Sequence, residues 1–204
     1  MSFEPVYFAY ALIAYLLGSI STAIITCKLM GLEDPRQVGS NNPGATNVLR
    51  TGGKKAAIIT LLGDMLKGLL PVLAIQQLHG DALALAITGS SAFLGHLYPL
   101  YYRFRGGKGV ATFYGVLLGI NWMIGLAALA VWGLVALLFR ISALSALVSA
   151  LCSPFIVWYF DASVTLIAAT AFMATLLFWR HRSNIKNMIQ GTEKPIGADR
   201  PKPE

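Results

Sequence analysis

The chain has 204 residues, of which 56% are hydrophobic and only 12% charged, with a net charge of +7. An ordinary soluble domain carries about 25% charged residues. With a mean hydropathy of +0.64 and apolar residues in long runs, this composition excludes a water-soluble globule, a disordered chain and a disulfide scaffold.

The chain therefore reads as an all-α, polytopic integral membrane protein. A span needs about 20 apolar residues to cross about 30 Å of hydrocarbon. The first run, 6–27, holds no charge. It is too long for the apolar core of a cleaved signal and lacks a basic leader, so it predicts a retained helix. A polar, Gly-rich loop covers 28–55. The second run, 56–78, carries Asp64 and Lys67, and a turn at 79–81 leads to the third run, 82–102. Residues 103–109 are polar again. The run 110–139 holds no charge, and after Arg140 come the runs 141–160 and 162–179, separated by Asp161. The polar tail, 180–204, is rich in Lys, Arg and Pro.

The run 110–139 fits either one tilted helix or two helices turning near Asn121-Trp122. Charge decides between them. With two helices there are seven spans, and the loops 28–55 and 103–109, Arg140 and the tail share one side. Those segments hold every one of the sixteen Lys and Arg residues except Lys67. Glu4, Asp81 and Asp161 fall on the other side. The excess of positive charge on cytoplasmic loops then predicts the N-terminus periplasmic or extracellular and the C-terminus cytoplasmic. The whole chain, 1–204, forms one membrane-embedded domain with a cytoplasmic tail. Cys27 and Cys152 both lie in apolar runs and read as small apolar filler.

The polar segments carry the candidate chemistry. The stretch Gly39-Ser40-Asn41-Asn42-Pro43-Gly44-Ala45-Thr46-Asn47, with Arg50 beyond it, combines residues that permit positive φ, neutral donors and a guanidinium fork. Backbone amides can converge on an anion in such a loop, and Arg suits phosphate; a solvated interfacial loop has the same composition. The stretch Arg103-Phe104-Arg105-Gly106-Gly107-Lys108-Gly109 opens an apolar run, which places it at a helix N-terminus where anions are favoured. A positive-inside anchor is the competing reading. It is not a P-loop, because Tyr102 replaces the required Gly and Gly109 the Ser/Thr. His181 and Asn184 close the last run, three apart.

Asp64 and Lys67, three apart inside a span, are expected to face the bundle interior as a pair. His96 is assigned a structural role. No His or Cys spacing suggests a metal site. The tail lacks interleaved aromatics, so nucleic acid is a poor reading and contact with membrane lipid the better one. An anion pocket beside apolar helices suits an amphiphile with a phosphorylated head, as substrate of an enzyme or cargo of a transporter. Transporter sites lie near the midplane between paired halves; here the polar groups gather at one surface, which favours an enzyme.

Three stretches taken together resemble one family. They are Gly39-Ser40-x-Asn42-x-Gly44-Ala45-Thr46-Asn47 with Arg50; Gly95-His96-x-x-Pro99 leading into Phe104-x-Gly106-Gly107-Lys108-Gly109-Val110-Ala111-Thr112; and Arg180-His181-x-x-Asn184-Ile185 with Gly191-x-Glu193. They look like the motifs of the bacterial acyl-phosphate-dependent glycerol-3-phosphate acyltransferases. The resemblance implies an inner-membrane enzyme with its site on the cytoplasmic face, acting in phospholipid biosynthesis. It would move a fatty acyl group from acyl phosphate to the 1-hydroxyl of sn-glycerol 3-phosphate, with no cofactor and neither acyl-CoA nor acyl carrier protein. The His-x-x-x-x-Asp motif of CoA-using acyltransferases is missing, since Tyr101 and Lys186 stand five residues after His96 and His181.

By the same resemblance Lys108, Ser145, His181 and Asn184 are catalytic, with Ser142 an alternative to Ser145. Gly39, Ser40, Asn42, Gly44, Asn47, Arg50, Gly106, Gly107, Gly109 and Glu193 bind substrate, with backbone amides around 39–42 and 106–109 holding a phosphate. A substrate phosphate oxygen would take the hydroxyl proton, with His181 as the alternative base.

Overall fold

A computed structural model describes residues 4–198, so the last part of the polar tail, 199–204, lies outside the described residues. Ten α-helices and no strand occur among them. The first apolar run is not one helix. It divides into α1 (Val6–Gly18) and α2 (Thr22–Leu29), with a break at 19–21. A break inside a membrane leaves backbone groups without partners, which only protein can then supply. Here α4 (Gly53–Leu78) supplies them: Lys67 Nζ donates to the Ile20 carbonyl at 2.6 Å, and the Thr22 N–H points at Asp64 Oδ1 at 3.4 Å. Lys67 and Asp64 also pair with each other at 2.9 Å, both almost fully buried. The expected pair is therefore present, and it also closes the break in the first span.

The loop between α2 and α4 contains a short helix, α3 (Ala45–Thr51). Helix α5 (Ala82–Leu97) starts at Asp81, whose carboxylate accepts the N–H groups of Leu83 and Ala84, both at 2.9 Å. Capping of this kind satisfies donors that the first helical turn leaves over. After a 3-10 turn at Leu100–Tyr102, the run 110–139 forms two helices, α6 (Val110–Ile120) and α7 (Trp122–Phe139). They part at Asn121, whose Oδ1 caps α7 through the Met123 N–H at 2.8 Å. Helix α8 (Ser142–Phe160) follows Arg140, which turns the chain in a left-handed conformation, φ 57°. Helices α9 (Val164–Arg180) and α10 (Arg182–Ile189) meet at His181 with a bend of 58°.

Five stretches are long and apolar enough to cross a membrane: Val6–Leu29, Gly53–Leu78, Ala82–Tyr102, Trp122–Phe139 and Ser142–Phe160. Helices α9 and α10 together make a sixth across their bend, and α6, with 11 residues, is shorter than a span. Leu134, Leu137 and Leu138 of α7 and Leu62 and Leu70 of α4 face outward, as lipid-exposed helices require. Between helices, small residues permit close approach. A Cβ on Gly18 would fall on the Ala92 backbone, one on Gly95 on the backbone of α1, and one on Gly115 on the Met65 carbonyl. These contacts lock α1 to α5 and α6 to α4. Because α6 is short and packs on α4 through Gly68, Gly115 and Gly119, it leaves the earlier turns of α4 uncovered. A cavity opens there.

Candidate active site

The cavity, roughly 210 Å³, has a polar end and an apolar one. The loop before α3 and α3 itself contribute Ser40, Asn42, Thr46, Asn47 and Arg50 to the polar end. The start of α6 contributes Lys108 and Gly109, the start of α8 Ser142, the α9–α10 bend His181 and Asn184, and the segment after α10 Glu193. Three motifs far apart in sequence thus meet in one place. The apolar end is walled by Leu61 and Met65 of α4, Val110 and Tyr114 of α6, and Leu129 and Trp132 of α7.

At the polar end Lys108 Nζ donates to Asn184 Oδ1, and Asn184 Nδ2 donates to Glu193 Oε1 at 2.7 Å. Asn187 Nδ2 reaches the other Glu193 oxygen at 3.4 Å. This chain fixes the Asn184 amide, oxygen towards the lysine and nitrogen towards the carboxylate. Burial pushes the Lys108 ammonium down to about 8; Glu193 pulls the other way, and the charges of Arg180 and Arg50 add to the fall. Arg50 Nη2 donates to the Lys194 carbonyl at 3.0 Å, while its Nε is buried with no acceptor among the described residues. A guanidinium N–H left this way calls for an anionic oxygen.

His181, 3% exposed, has Nδ1 2.8 Å from the Leu177 carbonyl. A carbonyl only accepts, so Nδ1 carries the proton and Nε2 is left as an acceptor. Thr46 Oγ1 and Ser142 Oγ lie 3.2 Å apart and tie α3 to α8.

Several expected residues stand elsewhere. Ser145 does not line the cavity: it is fully buried, and its Oγ donates to the Ile141 carbonyl at 2.9 Å, just before the start of α8. Ser142 occupies the wall in its stead, because the first residue of α8 faces the opening. Gly39, Gly106 and Gly107 also lie off the cavity wall. Three of the amides expected to hold a phosphate are committed within the protein. The Ser40 N–H donates to Asn47 Oδ1 at 2.8 Å, the Asn41 N–H to the Val38 carbonyl at 3.0 Å, and the Gly107 N–H to the His96 carbonyl at 3.2 Å. The Gly44 N–H likewise donates to the Asn42 carbonyl at 2.9 Å.

The glycines and Asn47 instead build the loops. Asn47 Nδ2 donates to the Pro35 and Val38 carbonyls, and a Cβ on Gly39 would collide with Asn47 Oδ1. Arg180 donates to the carbonyls of Gly107 (3.1 Å) and Gly106 (2.8 Å), holding the segment that delivers Lys108. His96 supports the same segment from below. The Thr112 hydroxyl donates to the Asp64 carbonyl, so His96 Nδ1, 3.1 Å away, donates to Thr112. A Cβ on Gly107 would run into His96 Nε2. Asp64 and His96 also touch the cavity floor.

Sequence reasoning expected apolar helices beside the anion pocket but named none of the residues that wall it. Leu61, Met65, Leu129 and Trp132 carry no mark that separates them from lipid-facing neighbours. Among the described residues no group of three or more His, Cys, Asp or Glu side chains gathers as a metal site would.

The model of one family, described as glycerol-3-phosphate acyltransferase, matches residues 8–191. A glycerol-3-phosphate acyltransferase of Thioalkalivibrio sulfidiphilus is 56% identical over 189 residues, covering 93% of each chain. One from Methylococcus capsulatus is 54% identical over 187 residues, covering 92% of this chain and 94% of its own. Among solved structures, the glycerol 3-phosphate form of PlsY (YgiH), an integral membrane glycerol 3-phosphate acyltransferase, superposes with a TM-score of 0.90 at 35% identity, covering 94% of this chain and 96% of that one. Its lysophosphatidic acid form gives 0.88 at 33% identity, with the same coverage.

Proposed function

The chain belongs to the glycerol-3-phosphate acyltransferase family, and from that premise we propose that it moves a fatty acyl group from acyl phosphate to the 1-hydroxyl of sn-glycerol 3-phosphate. The products are 1-acylglycerol 3-phosphate (lysophosphatidic acid) and inorganic phosphate, and the product feeds phospholipid synthesis. The observation that carries this reading is the cavity with Lys108 and Arg50 at one end and Leu61, Met65, Leu129 and Trp132 at the other. One chamber then holds both a phosphate and an acyl chain.

The glycerol 3-phosphate phosphate sits against Arg50 and Lys108, whose charges suit it. Ser40 and Asn42 add neutral donors from the loop before α3. The substrate hydroxyl attacks the acyl carbonyl, and the carbon–oxygen bond to the leaving phosphate breaks. Acyl phosphate is already an activated anhydride, so alignment and charge stabilisation do most of the work. Negative charge grows on the carbonyl oxygen and then on the departing phosphate, beside Lys108 and the Ser142 hydroxyl. His181 Nε2 accepts a hydrogen bond from the attacking hydroxyl and aims it. A phosphate oxygen takes the proton, and His181 need not release one. Asn184 and Glu193 hold the ammonium in place.

The orientation follows from charge. Counting α6 and α9 as crossings gives seven, which puts the basic loops and this cavity at the cytoplasmic face of the inner membrane.

Phosphate release by the purified protein tests the proposal, with palmitoyl phosphate as donor and glycerol 3-phosphate present or absent. Release that needs the acceptor, yields the monoacyl product and collapses in Lys108→Ala supports it. Release without acceptor would make the protein a hydrolase, and turnover with palmitoyl-CoA in place of palmitoyl phosphate would overturn the donor.

A further inference from the structure

A second groove, roughly 640 Å³, lies on the far side of the segment that carries Lys108. It is bounded by Arg36, Asn41, Arg103, Phe104, Arg105 and Arg180. Arg36 is neutralised by Asp34, 2.6 Å away, and stacks over Tyr102. The other three arginines pair with no carboxylate among the described residues. Arg180 satisfies part of its guanidinium on the Gly106 and Gly107 carbonyls and stacks over Tyr98, which leaves donors over. Arg103 and Arg105 are exposed. Like charges gathered without counter-charge repel one another unless an anion joins them.

The backbone here is also unusual. Arg103 and Phe104 are consecutive non-glycine residues in the left-handed region, with φ 54° and 59°. Hydrogen bonds from the Phe104 N–H to the Pro99 carbonyl (2.9 Å) and from the Arg105 N–H to the Tyr102 carbonyl (3.1 Å) hold them there. Such strain persists only where surrounding contacts enforce it, and it clusters at binding elements. Tyr101 and Phe104 stand exposed on the rim, at the end of an apolar helix. Aromatic side chains in that position mark the membrane–water boundary, the level at which lipid phosphates lie.

We propose that this groove binds a phosphate group, and that its natural carrier is the headgroup of an anionic phospholipid. The site is separate from the catalytic cavity and shares no lining residue with it, but the two touch the same loop segment. Arg180 faces the groove and grips the Gly106–Gly107 carbonyls that precede Lys108. A phosphate seated there would bear on that grip.

The test is native mass spectrometry of the purified protein, titrated with phosphatidylglycerol or phosphatidylcholine. One tightly held phosphatidylglycerol is expected, with phosphatidylcholine weaker. R103Q/R105Q should weaken it roughly twenty-five-fold, two basic contacts at about a factor of five each. K54Q/K55Q removes equal charge from exposed residues outside the groove and should change it little. Single R103Q and R105Q variants, each weaker by about fivefold, serve if the double variant does not fold. Retention of phosphatidylglycerol that resists inorganic phosphate supports the lipid headgroup. Displacement by millimolar inorganic phosphate supports the anion site and assigns it to the free ion. Equal binding of both lipids, or equal loss in both double variants, overturns the proposal.

Discussion

Raising the pH from 7 to 9 is the mildest way to remove the charge on Lys108. Burial holds its ammonium at about 8, so the protonated fraction falls from about ten-elevenths at pH 7 to about one-eleventh at pH 9, roughly tenfold. The phosphate of glycerol 3-phosphate is already dianionic over this range, its second pKa lying near 6, so it adds no limb of its own. The expected result is a kcat/KM for glycerol 3-phosphate, at saturating palmitoyl phosphate, that falls with a midpoint near pH 8. Bound substrate stabilises the ammonium, so kcat itself falls later. Lys108→Arg keeps its charge and should flatten the limb whatever its absolute rate.

Stability moves in the opposite sense. The folded state holds this proton less tightly than the unfolded chain, so the Lys108 contribution to stability increases as pH rises from about 8 towards 10.5. Loss of activity there is not unfolding. A limb that persists unchanged in Lys108→Arg, or a wild-type profile flat to pH 9.5, would refute a protonated Lys108 as the phosphate partner.

Further outcomes follow from the same geometry. Ser142→Ala should lower kcat/KM by tenfold or more, since a hydrogen bond to a charged group contributes about 1.5–3 kcal/mol, whereas Ser145→Ala should stay near wild type; equal losses would show that the wrong face of α8 has been assigned. Lys67→Met leaves Asp64 buried without its partner, a loss of about 3–5 kcal/mol, read as a lower thermal midpoint in detergent. The double variant Asp64→Asn/Lys67→Met should recover most of it, and a double variant no better than the single one contradicts the pairing. Gly107→Ala forces a methyl group against His96 Nε2 and within 3.1 Å of the Pro43 carbonyl. Overpacking costs about 1–3 kcal/mol, and displacement of Lys108 should remove most turnover from a protein that still folds; full activity would sink the positioning role of this loop.

The sequence made some of this legible for definite reasons. An uncharged run as long as 110–139 has to turn somewhere if the basic residues are to share one side, and Asn121 is both the turn and the cap. Two opposite charges three residues apart inside a span have little choice but to meet. The motifs could be matched to one another because their Asn, Arg and Lys residues are rare in an otherwise apolar chain. What remained hidden depends on rotation and depth. Ser142 and Ser145 differ only in which face of α8 they occupy. The break at 19–21 carries no Pro or Gly inside it, only Ser-Ile-Ser, and becomes understandable once Lys67 and Asp64 are seen to cap its loose ends. The bend at His181 falls where the apolar run gives way to the polar tail, and no Pro or Gly marks it. The amides of the 39–42 loop looked free until Asn47 was found accepting one of them.

The Asp64–Lys67 pair has a consequence for how the protein is made. Each charge alone at the centre of a nascent helix opposes passage from translocon to lipid by about 2.5–3.5 kcal/mol. Both lie on α4, 2.9 Å apart, so that segment emerges from the ribosome already carrying its own counter-ion and can leave as a neutral unit. The first span is translated earlier and has to wait at its Ser-Ile-Ser interruption with backbone groups unanswered. Its final shape is set only when α4 arrives beside it. The order of synthesis thus makes the second hydrophobic segment a built-in chaperone for the first, and ribosome-stalled fragments ending before residue 64 should leave the break in the first span unfinished.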